Sequence, residues 1–142
     1  MLFRLYKRRR RIRIPTADYI KNKEKARDFI NSRIFYFNEI YGFKFNRIAI
    51  RNQRRIWGSC SKKGNLNFNY RVIFLPSHLA DYIIVHELCH LKELNHSRNF
   101  WELVERGMPE YKKIRKELKN YHFSNATILN SASKGHYIFN PS

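Results

Sequence analysis

The chain has 142 residues and a mass of 17.4 kDa, which suits one compact domain around one hydrophobic core. Its 43% hydrophobic and 15% aromatic content excludes a fully disordered chain, and no apolar run reaches the ~18 residues that a membrane-spanning helix requires. Lys and Arg number 29 against 11 Asp and Glu, a formal +18 concentrated in residues 1–55, and a field of that sign favours nucleic acid, nucleotides or another polyanion.

Residues 1–15 open with MLFRLYKRRRRIRI, which carries seven basic and no acidic side chains, and end at Pro15. They read as a basic N-terminal arm or an edge strand. The apolar core of a secretory signal is absent from this stretch, and two cysteines, Cys60 and Cys89, are too few for a disulfide scaffold, so a reducing, cytoplasmic setting is expected. From Thr16 as N-cap, Ala26, Ile30, Ile34, Phe37 and Tyr41 recur at spacings of three and four until Gly42, which predicts an amphipathic helix. Residues 45–51 alternate as a strand. A hairpin follows, in which the turn SKKGN leads into a run with Leu66, Phe68, Tyr70, Val72 and Phe74 at period two, its other face presenting Asn67, Asn69 and Arg71 to a ligand.

Pro76 and Ser77 open a second helix that runs to about Leu94, with Asp81 in its first turn. Between Tyr82 and Leu91 only His86, Glu87 and His90 interrupt the apolar series, so this helix is expected to cross the core. Ser97 caps a helix that stops at Gly107, and Pro109 begins another with Tyr111, Ile114, Leu118 and Tyr121 on one stripe. Residues 122–142, rich in Ser and Asn without sustained periodicity, read as a mobile polar tail. The order of helix, strands and helix cluster predicts an α+β domain over 16–121, a small antiparallel sheet with helices packed on one face.

The segment VHELCHLKELNH places His86, Glu87 and His90 in an HExxH pattern with His96 six residues on. Histidines at i and i+4 of a helix share one face, which suits two imidazole ligands to a single zinc ion, and a chain reversal near Asn95 lets His96 supply a third. The fourth position then holds a water whose pKa the zinc lowers, and Glu87, a quarter turn from His86, is placed to act on it as general base. With six histidines and eight glutamates in the chain, chance produces HExxH only about 0.01 times. Glu93, Glu102 and Glu105 are the competing candidates for the third ligand. Glu102, Glu105 and Asp81 also suit partners for ligand N–H groups.

WGSCS at 57–61, Gly64, Asn69, DYIIVHELCHL at 81–91, NHS at 95–97, FW at 100–101 and MPEY at 108–111 together resemble the YgjP-like metallopeptidase domain proteins, which are related to SprT-like and WLM zinc proteases. The resemblance spans residues 54 to about 121. It implies a zincin-like fold whose hairpin borders the cleft, with His86, His90 and His96 as zinc ligands and Glu87 as the catalytic residue. Metzincins share the histidine spacing but carry glycine where Glu93 stands, and Met108 lies too close to His96 for their Met-turn, so Met108 reads as an apolar plug.

The expected activity is zinc-dependent hydrolysis of a peptide or protein, with an extended substrate added to the hairpin and with Arg55, Asn69 and Arg71 as candidate substrate-binding residues. A second reading keeps the metal site but cleaves a nucleotide phosphoanhydride held by the basic surface. A third has residues 1–55 bind nucleic acid beside a protease-like domain.

Overall fold

The structure, a computed structural model, describes residues 15–121. The arm reading of residues 1–14 and the tail reading of 122–142 lie outside those residues. Helix α1 (Ala17–Tyr41) begins where expected: the Thr16 side chain accepts from the Tyr19 N–H, and Gly42, at φ 63, lies in the left-handed region that closes a helix without a Cβ penalty. Its stripe of Ala26, Ile30, Ile34 and Phe37 is buried.

Three short strands follow: β1 (Arg47–Arg51), β2 (Gly58–Cys60) and β3 (Asn65–Asn69). Their order is β1-β3-β2, with β1 parallel and β2 antiparallel to β3. The sheet is therefore mixed, not antiparallel as the sequence suggested. Residue alternation specifies which face a strand buries but carries no information on strand direction. Here residues 52–57 carry the chain past the β3 position to the far edge, and only the turn through Gly64, at φ 77, makes a hairpin. Along the sheet, Ile50, Leu66 and Phe68 point into the core, whereas Arg47 and Arg51 are exposed and Ala49, Ser59, Asn65 and Asn67 are partly so.

The period-two run also ends earlier than expected. β3 stops at Asn69, and Tyr70–Phe74 form a 3-10 helix capped by the Asn69 side chain, which accepts from the Arg71 N–H. Val72 and Tyr70 stay buried in this helix, so the same apolar residues serve a different local structure.

Helix α2 (Ser77–His90) crosses the core, buried from Leu79 to Cys89 with Asp81 as the one partly exposed position. Asp81 turns to α1, where the Arg33 guanidinium donates to both its oxygens at 2.7 and 2.8 Å. The helix ends at His90, not near Leu94. The N–H groups of Leu91, Lys92 and Glu93 bond back to Leu88 and Cys89 carbonyls in a tight turn, and the His90 ring fastens that turn through the Glu93 carbonyl. Helices α3 (Arg98–Gly107) and α4 (Tyr111–Asn120) complete the fold, the former capped by the Ser97 side chain accepting from Phe100 N–H. No helix among the described residues is long and apolar enough to cross a membrane.

Candidate metal centre

Helical spacing sets His86 and His90 on one face of α2, and the turn at 91–97 returns His96 to the same place. The three Nε2 atoms lie 3.1 Å apart in each of their three pairs. His90 donates from Nδ1 to the Glu93 carbonyl at 2.9 Å, which leaves its Nε2 without a proton in the neutral ring. The Nδ1 of His86 stands 3.5 Å from the Tyr82 hydroxyl. Phe100 forms the floor: its ring centre is 4.5 Å from that of His90, 4.8 Å from His96 and 5.0 Å from His86. Trp101 stacks on His96, and the Arg115 guanidinium covers Trp101 at 4.6 Å.

Burial holds all three imidazoles below their ordinary pKa. For His86 the neighbouring His90 and His96 add to burial, for His96 the neighbours are His90 and Arg115, and for His90 the Glu93 carbonyl partly opposes the shift. The rings are thus neutral, and ring N–H groups cannot serve all three 3.1 Å contacts while each nitrogen also keeps a free lone pair, whereas a cation among them would take one lone pair from each ring. Three points at this spacing share a common point about 2.0–2.1 Å from each, the distance zinc takes to imidazole nitrogen. The donor set therefore fits a divalent cation of zinc size, and these histidines are the group among the described residues able to hold one.

Glu87, next along α2, is buried, and desolvation raises its carboxyl pKa to about 8. Gly58 of β2 passes directly over it, where a Cβ would meet Glu87 Cγ. The competing carboxylates stand elsewhere: Glu93 offers its backbone carbonyl, Glu102 is exposed and pairs with Arg98 at 2.9 Å, and Glu105 is exposed. Met108 packs against the core between α3 and α4.

Asn69 does not face a ligand, because β3 ends at it. It is fully buried, its amide donates to the Gln53 and Ile56 carbonyls at 2.7 and 3.1 Å, and its oxygen accepts from Arg71 N–H. Arg71 donates to Asn52 Oδ1 and the Gln53 carbonyl and lies over the Tyr70 ring, so both side chains fasten the 52–56 segment to the sheet. Arg55 is exposed in that segment, which leads into Trp57. Sequence reasoning gave no role to Gly58, Tyr82 or Phe100, although all three lie in motifs that carry the family resemblance. Their positions against the site depend on contacts between elements.

The profile of the family described as YgjP-like, metallopeptidase domain, matches residues 16–121. Among solved structures, the metallopeptidase zymogen abylysin of Pyrococcus abyssi is similar with a TM-score of 0.58 and 27% identity, over 64% of this chain and 92% of that one. The metallopeptidase zymogen jannalysin of Methanocaldococcus jannaschii has 26% identity over 66% of this chain and 92% of that one, with a TM-score of 0.47. No curated protein gives a match.

Proposed function

The chain belongs to the YgjP-like metallopeptidase domain family, and on that premise we propose that it is a zinc-dependent peptidase in which His86, His90 and His96 hold the ion and Glu87 is the general base. The observation that carries this reading is the convergence of three neutral imidazole nitrogens at 3.1 Å, with a buried carboxyl on the adjoining residue of the same helix. When bound, zinc supplies Lewis-acid polarisation of the scissile carbonyl and acidifies water.

The chain's own residues do the rest. The Glu93 carbonyl orients His90, and the Phe100 ring keeps the three imidazoles from turning away. Glu87 takes a proton from the attacking water and returns it to the leaving amine. Burial raises the Glu87 carboxyl to about 8 in the metal-free site, which keeps it protonated at neutral pH; a cation held by the adjoining histidines would favour the carboxylate, the form that can accept the water's proton. β2 is an edge strand that begins above Glu87, so an extended peptide pairing with its outer edge would bring a backbone carbonyl to the histidines.

The test is metal analysis with a panel of peptide, protein and nucleoside triphosphate substrates. Glu87→Gln should keep stoichiometric zinc and fold while peptide hydrolysis falls by about 100-fold or more, the range of general-base contributions. Retained peptide hydrolysis in that variant, or turnover of the triphosphate in place of peptide, overturns the reading.

A further inference from the structure

Charge is segregated in this protein. Residues 40–80, which contain the whole sheet, hold eight Lys and Arg and not one Asp or Glu, so all eleven carboxylate side chains lie on or beside the helices. Residues 1–14 and 122–142 contain no Asp or Glu either. The ion pairs among the described residues engage Arg27, Arg33, His78 and Arg98, none of them from the sheet layer. The cations of that layer therefore act as a field of one sign.

The alternation of the strands projects part of this field from one surface. Opposite the core face, Arg47 and Arg51 of β1 stand exposed, and a polar row crosses the three strands. Arg51 Nε donates to Asn67 Oδ1 and the Asn67 amide donates to Ser59 Oγ, each at 3.3 Å. Asn65, on the same face of β3, is held by Asn46. We propose that this outer face of the sheet is a sequence-independent docking surface for the phosphate backbone of duplex nucleic acid.

The side chains on the face select that partner. Arg, Asn and Ser are the donors that position phosphate oxygens. The outward residues of the three strands include no aromatic ring, so the face lacks the platform on which unpaired bases of a single strand stack. They include no large apolar residue, so it also lacks what inserts into a membrane interface. A regular pair of strands, each with one negative charge per phosphate, is what remains. Glu87 and the helices pack against the opposite face, so docking does not depend on the peptidase reading.

The experiment is fluorescence anisotropy of the full chain with a labelled DNA duplex of about 20 base pairs, titrated at salt from about 50 to 200 mM. Arg47→Glu/Arg51→Glu is compared with Lys21→Glu/Lys25→Glu, which changes net charge equally on the exposed side of α1. Two duplexes of unrelated sequence should bind alike. The sheet variant should weaken binding at least about tenfold and flatten the log–log salt slope by about 2, while the α1 variant changes affinity less than about threefold. Should the sheet variant fail to fold by circular dichroism, Arg47→Gln/Arg51→Gln serves instead and must weaken binding at least about threefold. Absence of binding at the lowest salt, equal loss in the sheet and α1 variants, or tighter binding to a single strand of the same length or to phosphatidylserine vesicles overturns the proposal.

Discussion

A Cβ built on Gly58 stands 2.9 Å from Cγ of Glu87 and 3.2 Å from its Oε1, so the edge strand and the buried carboxyl occupy a space with no room for a methyl group. Gly58→Ala should push Glu87 away while leaving the histidines untouched. The expected result is a fall in peptidase kcat/KM of about 100-fold, as for a misplacement near 1 Å, with zinc content unchanged. Full activity in the variant would show that the strand yields at little cost.

His96 comes from the turn, not the helix, and is only partly buried. His96→Ala should therefore leave the fold intact and lower zinc affinity by more than about 100-fold, the upper range for disturbing a ligand's supporting partners alone. Competition with a chelator of known affinity reads this directly. Affinity equal to wild type would mean that two imidazoles and another donor suffice.

Phe100 is fully buried and touches all three imidazoles with its ring. Phe100→Ala should cost about 3–5 kcal/mol in denaturant unfolding of the metal-free protein, by the cavity it leaves. Phe100→Leu, which retains much of the volume, should lose less stability and still loosen zinc. An unfolding free energy within error of wild type for Phe100→Ala would contradict this packing role.

Asn69→Ala removes an amide that satisfies two carbonyls and an oxygen that accepts from Arg71 N–H, all within a buried site. The expected destabilisation is about 2–4 kcal/mol. Asn69→Asp should be no better, because a carboxylate cannot donate to the Gln53 and Ile56 carbonyls. Urea unfolding midpoints of the two variants check this.

Cys60 is half-buried, and burial, then the nearby Glu87 carboxyl, pushes its thiol pKa up to about 11. A raised thiol pKa means that the reactive thiolate is scarce below it and grows as pH rises. Alkylation of Cys60 by iodoacetamide at pH 8 should run about 100-fold slower than for a free cysteine and gain about tenfold per pH unit until it levels near pH 11. Peptide mass spectrometry of the folded protein follows it. A plateau below pH 9 would overturn the stated environment of the thiol.

Much of the fold was legible because it is local. The start of α1 at Thr16, its stop at Gly42 and its buried stripe all follow from spacing and caps within one segment. The presence of His86 and His90 on one face, in a helix too apolar to lie at the surface, is equally a property of consecutive residues. Asn69 was misread because its alternation continues past the point where its own side chain ends the strand.

What the amino-acid sequence determined alone was therefore the helices, the buried faces and the chemistry of the donor residues, since periodicity and side-chain type act over a few residues. Tertiary structure decided that β1 runs parallel to β3, that α2 stops at His90, that His96 returns to within 3.1 Å of its fellows, and that Gly58 and Phe100 shape the space around them. Those outcomes depend on where distant segments pass one another, and a pattern of inward and outward residues fixes which side of each element is covered without specifying what covers it.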